Sequence, residues 1–102
     1  MFWSQDELKA FLKAAGNKLV VIEFSAKWCG PCKRIYPVFH AMSVQYRSVM
    51  FANVDVDNAR ELAQTYHIKA VPTFQLFKQT KKIFELCGAD AKKLEEKIRE
   101  FM

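Results

Sequence analysis

The stretch VVIEFSAKWCGPCKRIYP, residues 20–37, decides the fold. It opens on Val20, Val21, Ile22, Glu23 and Phe24, apolar but for Glu23, which is the pattern of a central strand covered on both faces. Cys29 and Cys32 follow, separated by Gly30 and Pro31, and then Ile35, Phe39, Met42 and Tyr46 recur at helical spacing. A strand running into a helix thus carries a cysteine pair at the junction. Pro31 suits the first turn of such a helix, where its missing N–H has no partner to lose. Pro37 lies inside the stripe, and a kink is expected there.

The pair has three possible uses: metal ligation, a structural crosslink or redox exchange. Structural zinc usually asks for four ligands. The chain adds only Cys87, His40 and His67, and neither histidine has finger-type spacing; both read as ordinary polar positions. The N-terminal stretch MFWSQDELKAFLKAAG is broken by Asp6, Glu7, Lys9 and Lys13, so it does not read as a secretory leader. No apolar run is long enough to span a bilayer. Both observations point to the cytoplasm, where a lone Cys-x-x-Cys is more often catalytic or metal-binding than a static crosslink.

Redox exchange has a mechanism behind it. Cys29 would sit at the helix N-terminus, where free N–H groups and the macrodipole favour a thiolate. Cys32, one turn further, is close enough to form a disulfide with it and is expected to be the less exposed of the two. Cys29 is therefore the attacking thiol in this reading and Cys32 the resolving one.

Outward from the pair, the rest of the chain alternates helix and strand. Ser4 and Glu7 have capping-box spacing ahead of Leu8, Phe11, Leu12 and Ala15, and Gly16 is a natural stop. VMFANVDV reads as a second buried strand and NARELAQTYH as a short helix with Leu62, Ala63 and Tyr66 inward. TFQLF and KIFEL form a hairpin across the turn KQTKK. Ala91, Leu94, Ile98 and Phe101 mark a last helix. Phe2 and Trp3 are expected to cover the sheet edge, and Asp55 and Asp57 to cap the helix that follows them. The order predicts a single α/β domain over residues 1–102: a central mixed β-sheet flanked by helices on both faces.

Composition bounds the partners. Of the 102 residues, 51% are hydrophobic, which excludes a disordered chain. The net charge is +5, but the cations are spread, and AKKLEEKIRE mixes both signs as a solvated helix face does. No clustered basic footprint for nucleic acid stands out.

FSAKWCGPCK, with VDVD, VPTF and GADAKKLE at the expected distances, resembles the thioredoxin family over nearly the whole chain, and in particular animal cytosolic thioredoxins. PVFHAMSVQY and FELCGADAKKLE are similar to a spermatid-specific branch. The resemblance implies a thioredoxin fold and a protein disulfide reductase. Cys29 attacks a target disulfide, Cys32 resolves the mixed disulfide, and Glu23 assists proton transfer at a position where the family carries aspartate. It further implies no bound cofactor or metal, a reversible Cys29–Cys32 disulfide, recharging by a thioredoxin reductase that draws on NADPH, and a cytoplasmic monomer. Pro72 matches the family's cis-proline. Trp28, Gly30, Pro31, Val71, Pro72 and Gly88 would form the target-binding surface, with the Val71 backbone offered to an extended peptide. Ala59, Tyr66 and Ala70 stand where vertebrate cytosolic thioredoxin carries extra cysteines, while Cys87 is extra here and reads as a bystander at a strand end. The hairpin turn lacks the family's glycine and is expected to be looser or differently shaped. The competing reading is a thioredoxin-fold interaction module with little turnover; such modules often lose one cysteine, and this chain keeps both.

Overall fold

The computed structural model describes residues 3–102. Ser4 caps the first helix, α1 (Gln5–Ala14): its Oγ accepts the Glu7 N–H at 3.1 Å, and Glu7 Oε1 accepts the Ser4 N–H at 2.8 Å. Such a cap is worth about 1 kcal/mol. Gly16 ends the segment at φ +61°, a backbone region that disfavours a side chain.

The order of elements is the expected one. β1 (Val20–Ser25) leads to α2 (Gly30–Gln45), β2 (Met50–Asp55), α3 (Arg60–Thr65), β3 (Thr73–Lys78), β4 (Lys81–Cys87) and α4 (Ala91–Phe101). The strands lie in the order β2-β1-β3-β4, with β1 parallel to β2 and antiparallel to β3, and β3 antiparallel to β4.

Alternation along β1 feeds two cores. Val20, Ile22 and Phe24 meet Leu8 and Leu12 of α1 and Leu62 of α3. Leu19 and Val21 meet Ile35, Phe39 and Met42 of α2 with Leu94 and Ile98 of α4. Each such side chain contributes about 1.5–3 kcal/mol when fully buried. The helices therefore cover both faces of the sheet. α2 runs through Pro37 as one element. Its last turn is tied to α4, because the Tyr46 hydroxyl donates to Glu95 at 2.5 Å and accepts from Arg99 Nε at 2.9 Å.

Four local expectations change. β2 is an edge strand rather than a fully buried one: Ala52 and Val54 are buried, while Asn53 between them is exposed. One face is buried at Ala52 and Val54, while the other is covered only at Phe51, which is half-buried edge-on against Phe39 of α2. Tyr66 does not belong to α3 but caps its C-terminal end, half-buried against Phe24 and Phe77. Asp55 and Asp57 do not cap α3, whose N-cap is Ala59 with no side-chain bond; Asp55 Oδ1 instead accepts the N–H groups of Asp57 and Asn58 and shapes the turn after β2. Trp3 does guard the β2 edge, its indole N–H donating to the Asn53 carbonyl at 3.0 Å and its ring meeting Phe11 edge-on. Phe2 lies outside the described residues.

The hairpin turn is the fourth change. It is tight, not loose: only Gln79 and Thr80 separate β3 from β4, at φ +51° and +68°. Two positive φ values are what a two-residue turn needs to match the strand twist. Gln79 is held by donating to Asn17 Oδ1 at 2.8 Å. Thr80 is β-branched, and the left-handed conformation costs such a residue about 1–2 kcal/mol. Thr80→Gly removes that cost but adds about 0.5–1 kcal/mol of chain entropy to be lost on folding. The variant is expected to melt about 2–6 °C higher, measured by thermal unfolding of the oxidised protein; an unchanged or lower midpoint would show that no such strain is relieved.

Candidate active site

The junction between β1 and α2 places the cysteines. Cys29 is the N-cap of α2, with an extended backbone, and its Sγ accepts the Cys32 N–H at 3.1 Å. A sulfur in that position replaces the oxygen of an ordinary capping residue, and a thiolate there is stabilised by the N–H and by the helix dipole. Gly30 and Pro31 occupy the first helical turn, and the pair is joined as a disulfide with its Cα atoms 5.3 Å apart. Ala26 is buried with the two cysteines, and Val56 and Val71 pack against them. Exposure does not separate the cysteines as expected: Cys29 is 3% exposed and Cys32 5%. Once bonded, both sulfurs sit under the same apolar neighbours, and only the N-cap position distinguishes them.

Glu23 is on the α2 side of β1 by its alternation with Val21, and it is 1% exposed. It lines an open pocket of about 320 Å³ with Cys32, Lys33 and Tyr36 of α2, Lys27, and Asn53 and Asp55 of β2. Oε1 accepts from Asn53 Nδ2 at 2.9 Å, and Oε2 has no partner. Burial pushes the carboxyl up from 4.5 to about 7, with the Asn53 amide pulling the other way. An edge position with the carboxyl in water is excluded.

The proposed target surface is only partly one groove. Trp28 is 70% exposed, and its indole N–H donates to Asp57 Oδ2 at 2.9 Å. It shares a groove with Val56, Ile68, Lys69, Ala70 and Val71. The Val71–Pro72 bond is cis, and Pro72 is buried beside it. Gly88 is outside that groove but adjoins Pro72, donating its N–H to the Pro72 carbonyl at 2.9 Å; its φ of +94° favours glycine. Asp57, expected to cap a helix, instead accepts from Trp28, and Asn53, within a stretch read only as a strand, meets Glu23. A tryptophan beside the pair needing an acceptor was the one available signal for Asp57.

Cys87 is exposed at the end of β4, its Sγ 3.7 Å from Thr73 Oγ1. Among the described residues, no group of three or more His, Cys, Asp or Glu converges as a metal site, and no helix is long and apolar enough to cross a membrane.

A dithiol that can close to a disulfide at a helix N-terminus, above a mixed sheet, is the working part of a thiol–disulfide oxidoreductase. Comparison with known proteins gives the family. The thioredoxin family model matches residues 2–100. Thioredoxin domain-containing protein 8 of Homo sapiens is 55% identical over 95% of this chain and 94% of its own. Thioredoxin of Callithrix jacchus is 50% identical over 97% of this chain and 94% of its own. The crystal structure of reduced Schistosoma mansoni thioredoxin pre-protein superposes with a TM-score of 0.94 at 41% identity, over 100% of this chain and 95% of that one. The chain belongs to the thioredoxin family, with its fold and its redox-active disulfide.

Two expected outcomes follow from these positions. A carboxyl whose folded pKa is raised costs the fold nothing below the unfolded value, so the stability is full below pH about 4.5 and falls as pH climbs to about 7. The loss is on the order of 3 kcal/mol above that window. Glu23→Gln should flatten this pH dependence and leave the protein more stable at pH 8, measured by denaturant unfolding. A variant that is less stable at pH 8 would mean that the carboxylate is satisfied in the fold. Cys87→Ser should retain most disulfide-exchange turnover, because its sulfur faces only a threonine hydroxyl; a large loss in a turnover assay would make Cys87 a working thiol.

Proposed function

We propose that this protein reduces disulfides in target proteins, with Cys29 as nucleophile, Cys32 as resolving thiol and Glu23 as the proton acceptor of the resolving step. The observation that carries the reading is Cys29 at the N-cap of α2 with its Sγ on the Cys32 N–H. The Cys29 thiolate attacks one sulfur of the target disulfide. That S–S bond breaks, a mixed disulfide forms, and the other target sulfur leaves as a thiolate and takes a proton from water. Cys32 then passes its proton to the Glu23 carboxylate, and its thiolate attacks Cys29 Sγ. The second target sulfur leaves, and Cys29 and Cys32 end as a disulfide, having given two electrons. With a pKa of about 7, Glu23 can accept and return a proton near neutral pH.

Target binding is supported at Val71. Its backbone makes no hydrogen bond among the described residues, because β3 starts two residues later and Pro72 has no N–H. An extended peptide can pair there as an added strand beside Trp28, with Gly30, Pro31 and Gly88 exposed around the cysteines. The chain acts as one domain over residues 1–102, as a cytoplasmic monomer, and an NADPH-dependent thioredoxin reductase returns it to the dithiol. The identity to thioredoxin domain-containing protein 8 supports a place on the spermatid branch and a role in sperm formation. An interaction module with little turnover is the weaker reading, since both cysteines are present and bonded to each other.

The test is insulin reduction, run with NADPH and thioredoxin reductase and, separately, with a chemical dithiol. Turnover in both supports the whole reading; turnover only with the dithiol removes the reductase as partner; none in either leaves an interaction module. Cys32→Ser is expected to hold targets as mixed disulfides on Cys29, seen as reductant-sensitive adducts in a lysate. Adducts that persist in a Cys29→Ser variant but vanish in Cys32→Ser would reverse the two roles.

A further inference from the structure

The parallel register of β1 and β2 sets Asn53 directly opposite Glu23. Asn53 is exposed on the edge strand, yet its side chain reaches inward to the one carboxylate in the buried β1 strand. Its amide takes its sense from the ionised carboxylate, which can only accept, because a hydroxyl at Ser25 can serve either amide atom. The Ser25 hydroxyl donates to Asn53 Oδ1 at 3.2 Å, and Nδ2 also lies 3.0 Å from Ser25 Oγ. A flipped amide would set Oδ1 against Glu23 Oε1, two acceptors facing each other. The strand beneath is steadied as well, because Trp3 donates to the Asn53 carbonyl.

This arrangement makes the two carboxyl oxygens of Glu23 unequal. Oε1 receives the Asn53 N–H at 2.9 Å and is the acceptor of the pair. Oε2 is buried without a partner, so it is the oxygen with room for a proton. We propose that Asn53 is a positioning residue for the resolving step: its amide holds Oε1 and so reserves Oε2 for the proton exchanged with Cys32. The proposal rests on the proton-accepting role of Glu23 given above. The charged and titratable groups that share the pocket with Glu23 are Lys27 before α2, Cys32, Lys33 and Tyr36 on α2, and Asp55 on β2; the β3 residue paired with Glu23 is Phe74, which cannot titrate. Among the described residues none of the ionised ones is hydrogen-bonded to the carboxyl, and Asn53 is its one hydrogen-bond partner.

The test uses the full chain with Cys87→Ser as the background. Asn53→Leu keeps the size and removes the donor; Asn53→Lys replaces it with a cation. Carbon NMR of the Glu23 carboxyl in the oxidised protein should titrate about one pH unit higher in Asn53→Leu and lower in Asn53→Lys than in the parent. Opposite shifts separate positioning from a general loosening of the edge strand, which would move both variants the same way. Reduced protein mixed with an aromatic disulfide releases two coloured thiolates, the second on attack by Cys32. The pH midpoint of that second phase should follow the NMR midpoint in each variant. Unmoved midpoints, or shifts of one sign, overturn the proposal. Glu23→Gln is the control for the reading beneath it. If that variant keeps the parent's second-phase profile, the role of Glu23 fails, and the inference about the resolving step fails with it, whereas a profile lost in Glu23→Gln but unmoved in both Asn53 variants rejects Asn53 alone.

Discussion

Everything at the reactive end depends on β1 being buried on both faces. A strand with one wet face could be repositioned by a small slip, but β1 has a core on either side and a partner strand at either edge. A one-residue slip would drive its α1-facing side chains into the α2 core and the reverse. The end of β1 is therefore a fixed point. Ala26, Lys27 and Trp28 lead from it to Cys29, which receives its position from a strand that cannot move and a helix tied at its far end to α4.

The same burial sets the pH range in which Glu23 titrates. In a strand open to water its carboxyl would ionise well below neutral pH and take no part in proton exchange near pH 7. Between Val21-side packing and the Asn53 amide, desolvation and a single hydrogen bond oppose each other and leave the group near neutrality. The unsatisfied Oε2 is a stability cost that the large apolar cores on both faces of the sheet can absorb.

What the sequence made legible was local. The capping box at Ser4, the apolar run of β1, the spacing of Ile35, Phe39 and Met42, and Cys-Gly-Pro-Cys at a strand–helix junction depend on neighbours within a few positions, and they fix the order of elements and the reactive pair. The cis Val71–Pro72 bond needed the family resemblance. The remainder was set by register and by position within the sheet. β2 reads as apolar as β1, and nothing in its letters says that it lies at the edge. Asn53 opposite Glu23 and Asp57 beneath Trp28 join residues from separate elements, and only the parallel pairing brings them together. The Gln79–Thr80 turn was misread because its residues lack the glycine that such φ values favour; pairing of the flanking strands overrode local preference.

The two edges of the sheet are finished differently. On β2 the Trp3 indole occupies the Asn53 carbonyl. β4 stays largely exposed along its length, with Lys81 and Lys82 at its start and a register irregularity opposite them. A strand of another molecule seeking to extend the sheet would have to desolvate those ammonium groups and follow a kinked hydrogen-bonding rim. Charged and irregular edges of this kind are a defence against sheet-to-sheet aggregation. For a thiol–disulfide oxidoreductase, such a rim keeps the β4 side of the sheet from serving as a template for an added strand.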